Sequence, residues 1–392
     1  MHLPFTHPTM ETRDQSELNA AYNALALKEG LLPIKVAPFY QKKIEEEVQG
    51  LGHRGGPLHR SVYPTEERMT VRAPGEVSDF VDDRENMPKG LRDTAVKKYR
   101  NRVLFFPTDT CIGHCQYCFR QDVLTELHGH DSEIPAGNGK VDKLIAYLAE
   151  HPEVKEVILS GGDPMTLPFS RLEDTLQRLR TDAGIRNIRI HTRSLVYSPA
   201  IFKPEMIRLL AEAGVRLVMH SVHPYELCEE VEDYIRQLRS AGVRLYNQFP
   251  VLRKVNDHPK VLERHLEKLD GLGVRNLSIF IPDPIKYSAS FRIRLKRLFS
   301  IMDTLNWSTS SWVNSTRIVL DTHYGKVRRE DLKSYNEQSG IAIFEREGHQ
   351  IPYPDFPEAL DEPGELSTLL WKDHRRQSAD KSSSHPTTTA HG

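Results

Sequence analysis

The sequence predicts an α/β fold: a partial (βα)6 TIM-like barrel with an N-terminal helical extension and a small C-terminal segment. Two observations carry this. Gly184-Ile185-Arg186, Gly214-Val215-Arg216, Gly242-Val243-Arg244 and Gly273-Val274-Arg275 recur at intervals of about 30 residues, the period of a βα unit. Apolar runs at 103–106, 157–159, 188–190, 217–219, 245–249 and 277–281 then read as six parallel strands, with amphipathic helices at 172–179, 206–213, 231–238 and 261–272 between them. An open parallel α/β sheet fits the same pattern. Both place a ligand site at the C-terminal ends of the strands.

Residues 1–95 are polar and proline-punctuated, with helical patterns at 16–28 and 38–51. No catalytic motif is legible there, and the region reads as an extension that covers the barrel or serves self-association. Residues 96–305 form the expected barrel. Polar residues cluster where its strands should end: the cysteine loop, Ser160-Gly161-Gly162-Asp163-Pro164, His191-Thr192-Arg193, His220-Ser221-Val222-His223, Gln248 and Asp283. Six such ends facing one mouth make a coherent rim. Residues 306–374 form the C-terminal segment, with a strand over 316–321 and a hairpin beginning at 341–344. The tail, 375–392, has almost nothing to bury and is expected to be disordered.

The 392 residues are enough for one large domain with additions or for two domains. With 53 Lys+Arg against 54 Asp+Glu, there is no electrostatic case for nucleic acid or a membrane surface, and a small ligand is expected. No basic region precedes an apolar stretch at the N-terminus, and no run approaches a membrane span. A cytoplasmic protein is the expectation. Four cysteines, three of them within eight residues, argue against a disulfide framework and for a reducing compartment.

Those three, Cys111, Cys115 and Cys118, form a Cys-x3-Cys-x2-Cys run after an apolar stretch. Thiolates suit iron–sulfur clusters and zinc. If the centre is a four-iron cluster, one iron lacks a protein ligand and is open to a substrate or cofactor. A zinc site with His114 as fourth ligand is the alternative, but no second Cys/His pair at ligand spacing follows.

The cysteine spacing, followed by Phe119, resembles the signature of the radical S-adenosyl-L-methionine (SAM) superfamily. Ser160, Gly161, Gly162 and Asp163 resemble its segment that contacts the methionine moiety of SAM. The chain further resembles the lysine 2,3-aminomutase family over roughly residues 95–330. The motifs are Tyr99-Arg100-Asn101-Arg102, the cysteine loop through Arg120, Ser160 to Pro164, Gln248 with Val255-Asn256-Asp257, Asp283-Pro284 with Phe291-Arg292, and Val319-Leu320-Asp321 with Gly325-Lys326.

The resemblance implies a radical SAM barrel with a 4Fe-4S cluster on Cys111, Cys115 and Cys118, SAM, and pyridoxal 5′-phosphate (PLP) held in the C-terminal segment. It makes Lys326 the PLP lysine, Tyr99 and Arg102 contacts to the PLP phosphate, Gln248 a SAM contact, and Arg120 the partner of a substrate carboxylate. Asp283 and Asp321 then embrace the distal ammonium of a cationic amino acid, lysine before arginine or ornithine. A 2,3-aminomutase is implied, with an electron donor such as flavodoxin or ferredoxin, and a homo-oligomer is expected. An elimination or different rearrangement with the same cofactors, or a metal-stabilised interaction module, are the rival readings. Two departures stand out. The stretch from Asp321 through Thr322-His323-Tyr324-Gly325 to Lys326 is two residues shorter than the family's, and lacks its proline. The zinc-binding C-terminal cysteines of some members are absent, leaving Cys228 as a small buried or helix-start residue.

Overall fold

The computed structural model describes residues 14–129 and 139–373; the tail expected to be disordered lies outside them. The central sheet has nine strands in sequential order: β1 (Ala95–Tyr99), β2 (Arg102–Thr108), β3 (Glu156–Gly161), β4 (Asn187–Thr192), β5 (Arg216–Met219), β6 (Arg244–Pro250), β7 (Arg275–Phe280), β8 (Arg317–Leu320) and β9 (Val327–Arg328). Strands β2 to β8 run parallel, and β1 and β9 close the two edges in antiparallel fashion. The barrel is open, because its edge strands do not pair with each other. All six expected strands are present. The strand expected to open the C-terminal segment, β8, continues the same sheet, so the barrel extends past residue 305.

The recurring glycines have a local cause. Gly214, Gly242 and Gly273 follow helices Pro204–Glu212, Glu229–Ser240 and Pro259–Gly271 with φ of 61°, 88° and 66°. The N–H groups of Val215, Val243 and Val274 donate back to Leu210, Leu238 and Leu269, ending each helix in a left-handed turn that glycine adopts without penalty. The repeat therefore marks where each helix stops and the chain turns into a strand.

Alternation along the strands separates core from cavity. Val103, Phe105, Val157, Leu159, Ile188, Ile190, Leu217 and Met219 face outward and are buried under helical Leu172, Leu176, Leu179, Met206, Leu210, Val231, Ile235 and Leu238. The opposite phase, Arg102, Leu104, Ile158, Ser160, Arg189 and His191, faces a cavity. A second core packs Phe249, Ile279, Leu298, Met302, Leu305 and Leu320 against Phe344, Ile351 and Tyr353. The last three belong to a separate three-stranded sheet of β10 (Leu332–Asn336), β11 (Ile341–Arg346) and β12 (His349–Pro354). Cys228 stands at the start of helix Glu229–Ser240, as expected, without a capping hydrogen bond from its side chain.

Candidate active site

A cavity of about 340 Å³ lies at the C-terminal ends of the parallel strands. Tyr99, Arg102, Cys111, Cys115, Cys118, Arg120, Ser160, Gly161, Gly162, Asp163, Gln248, Asp283, Asp321 and Lys326 all line it.

At one end stand the three cysteines. Among the described residues no three His, Cys, Asp or Glu side chains gather on a single ion. The three thiols share one cavity. Burial first, and then Cys115, raise the Cys118 thiol to about 12; burial and then Asp163 push Cys111 up as well. A metal must therefore displace protons to bind. The loop is clamped by backbone groups: His114 N donates to Lys35 O at 2.8 Å, Gln116 N to Ser61 O at 2.9 Å and Asp163 N to Thr110 O at 2.8 Å. A Cβ on Gly162 would collide with the carbonyl oxygen of Thr110. The second glycine of Gly161-Gly162 thus admits the cysteine loop itself.

Asp163 also braces the turn that carries it. Its carboxylate accepts from Thr192 Oγ1 at 2.7 Å, Arg193 N, Ser194 N and Ser194 Oγ at 2.9 Å each, and Met165 N at 3.1 Å. These contacts pin the Gly-Gly turn to the end of β4 and occupy the carboxylate with protein donors. Gln248 Nε2 lies 3.1 Å from His220 Nε2. Burial, followed by Arg193, lowers His220 to about 3, so its ring is neutral and accepts from the Gln248 amide. Burial and then His220 likewise lower His191.

At the other end is Lys326. Its Nζ lies 4.6 Å from the centre of the Phe280 ring. Burial lowers its pKa; Asp321 opposes this, while Arg189, Arg102 and Arg120 reinforce it. The short loop is held by the Tyr99 hydroxyl, which accepts from Lys326 N at 2.9 Å, and by Thr322 Oγ1, which donates to Gly325 O at 2.5 Å. Gly325 sits at φ 97°, with Tyr99 Oη where a Cβ would point. Here Arg102 stacks 3.8 Å over the Tyr99 ring, and Arg189 donates twice to Glu156 Oε1, at 2.5 and 3.1 Å. Arg102, Arg189 and Lys326 stand here against Glu156 and Asp321, and the guanidinium groups are of a kind suited to a phosphate.

Residues 1–95, in which no catalytic motif is legible, nonetheless contribute a side chain to the site. Asp83, 1 % exposed, lines the cavity. Its Oδ2 accepts from Arg120 Nε at 2.8 Å, and its Oδ1 lies 3.1 Å from Lys98 Nζ. Burial alone would raise the Asp83 carboxyl, but Arg120 and then Lys98 outweigh it and hold the group below the ordinary carboxylate range. The polar loop Asp79–Asp83 has no periodicity, and in sequence resembles any solvated acidic turn. Across the cavity Asp283 has a buried Oδ1 with no hydrogen-bond partner. Burial, and then Asp321, push its pKa well up.

A parallel sheet whose strand-end cavity joins a Cys-x3-Cys-x2-Cys loop to a Gly-Gly turn defines a radical SAM protein, and the model of the Radical SAM superfamily matches residues 105–266. Within that superfamily the chain belongs to the lysine 2,3-aminomutase family. It is 30% identical over 244 residues to the L-lysine 2,3-aminomutase of Escherichia coli, covering 62% of this chain and 68% of that one. A relative from Treponema pallidum is 35% identical over 211 residues, 54% of this chain, and the match spans only 58% of that relative's length. A relative from Aquifex aeolicus is 28% identical over 330 residues, covering 84% and 83%. Membership of the superfamily implies a 4Fe-4S cluster and SAM. No described helix is long and apolar enough to cross a membrane.

Proposed function

We propose that this protein is a PLP-dependent radical SAM 2,3-aminomutase that moves the α-amino group of a cationic amino acid, lysine foremost, to the β-carbon. The observation that carries the reading is the placement of Lys326, a half-buried lysine of lowered pKa, in the same cavity as the three cysteines. Bound together, the cluster and SAM supply a 5′-deoxyadenosyl radical for hydrogen abstraction, and PLP supplies a conjugated carrier for the migrating nitrogen.

The chain's own residues bind and orient. Lys326 offers a neutral amine more readily than an exposed lysine does, which favours bonding to a carbonyl. Arg102, Arg189 and Tyr99 would hold the phosphate. Arg120, kept ionised and aimed by Asp83, takes the substrate carboxylate. Asp283 and Asp321 take the distal ammonium, which would satisfy the orphaned Oδ1 of Asp283. Fixing both ends of the substrate positions its β-hydrogen. A low-potential electron donor such as flavodoxin or ferredoxin completes the proposal.

The test is product analysis after anaerobic reconstitution with a panel of labelled amino acids. Conversion of lysine to its β-amino isomer is expected. Consumption of glutamate but not lysine would refute the role given to Asp283 and Asp321, and an elimination product would refute the aminomutase assignment.

A further inference from the structure

The reaction proposed above makes no use of Tyr197, the last residue of the short helix Ser194–Tyr197 that follows β4. Its hydroxyl lies 3.1 Å from Cys115 Sγ, and the side chain is buried, at 1 % exposure. The ring is fixed on several sides. Tyr40 meets it edge-on at 4.8 Å, and the Arg193 guanidinium lies 4.6 Å from its centre. Arg193 is paired with buried Glu226, which also accepts from Tyr40 Oη at 2.7 Å. This network holds the phenol against the sulfur.

A thiolate bound to iron has no proton to give, so the hydrogen in that contact must come from the phenol. We propose that Tyr197 donates a hydrogen bond to the iron-bound sulfur of Cys115 and thereby raises the reduction potential of the cluster. Reduction adds negative charge to the cluster and its sulfurs, and a hydrogen bond stabilises the more negative state; such bonds are among the determinants of iron–sulfur potentials. Tyr197 is a positioning and tuning residue that eases electron entry. The inference rests on the cysteines as cluster ligands and is independent of PLP and of the substrate.

The experiment is a potentiometric titration of the reconstituted full-length protein, without SAM or substrate, followed by the EPR signal of the reduced cluster. Tyr197→Phe keeps the ring and removes the donor; its midpoint should move to more negative potential at unchanged iron content. Tyr197→3-fluorotyrosine, a stronger donor, should move it the opposite way, and decides the matter by sign if the Phe variant loses iron. Midpoints that ignore both changes, or that shift in the same direction, overturn the inference alone. Wild-type protein that forms no four-iron cluster overturns the assignment of the cysteines and this inference with it.

Discussion

The cysteine loop and the loop presenting Lys326 occupy opposite ends of one cavity and are held by different means. Around Cys111 to Cys118 side-chain contacts are joined by a main-chain clamp between distant segments: the N–H groups of His114, Gln116 and Asp163 engage the carbonyls of Lys35, Ser61 and Thr110. Around Lys326 the restraints come mainly from side chains of distant residues, Tyr99, Lys98, Asn86 and Arg346, reaching the backbone of residues 322–326 or the ring of His323. A backbone clamp tolerates most single substitutions because its donors and acceptors survive them. A side-chain clamp is lost with one residue. The cluster end should therefore be robust, and the lysine end sensitive, to mutation outside the cavity itself.

The largest contrast should come from Lys326→Ala. Turnover should fall by at least about 10³-fold, the scale of losing an activated nucleophile, and the visible absorbance of protein-bound PLP should disappear while iron and sulfide content stay at wild-type levels. Parallel loss of iron would show that the two ends are not independent.

Asp283→Asn should raise KM for a cationic substrate by about 10- to 100-fold, the equivalent of removing a charged hydrogen bond worth about 1.5–3 kcal/mol. The pH dependence carries its signature. Because burial and Asp321 raise the Asp283 pKa, the empty site retains a proton that an incoming ammonium must displace, so KM should fall as pH rises through that raised pKa. Stability runs the other way: the native state binds more protons than the unfolded one between the ordinary and the raised pKa, so stability falls with rising pH across that window. In Asp283→Asn both slopes should be reduced, measurable by steady-state kinetics and by thermal melts at several pH values.

Asp83→Asn tests the contribution of the N-terminal extension. Leaving Arg120 and Lys98 without their buried carboxylate should destabilise the fold by up to about 3–5 kcal/mol. It should also raise KM for the free amino acid more than for its carboxamide, which makes weaker use of Arg120. Since the Asp83 pKa is depressed by Arg120 and Lys98 against the effect of burial, its stabilising contribution is present above the ordinary carboxylate pKa and is lost as pH falls through the depressed value. Equal KM changes for acid and amide would remove Asp83 from the positioning of Arg120.

The smallest pair completes the contrast. Tyr99→Phe removes one half-buried acceptor from the Lys326 loop and should cost about 1 kcal/mol, with weaker PLP retention on gel filtration. Lys35→Ala removes an exposed side-chain contact of 2.6 Å to Cys111 O, yet leaves the backbone clamp intact. Its effect on iron loading and stability should stay below about 0.5 kcal/mol.

Much of this site was legible because its signals are local. The cysteine spacing, the Gly-Gly turn after a strand and the helix-ending glycines each act within a few residues, where chain geometry leaves few choices. Asp83 was illegible because its meaning depends on Arg120 and Lys98, which the fold brings to it. That the carboxylate of Asp163 braces β4 was illegible too, since its donors Thr192, Arg193 and Ser194 lie some 30 residues away. The shortened stretch at Lys326 offered no sign of being compensated. The compensation is a tyrosine some 227 positions away in sequence.

By itself, then, the sequence determined the strand and helix period, the family and a first set of cavity-lining residues, because hydrophobic alternation, helix caps and ligand spacing are written over short stretches of chain. Tertiary structure decided the pairing of the charges: Asp83 on Arg120, Asp163 on β4, Asp283 left with a partnerless oxygen, and Tyr197 against Cys115. Those outcomes depend on burial and on distances between segments far apart in the chain, and electrostatic and hydrogen-bond energies are set by such distances and by the removal of water.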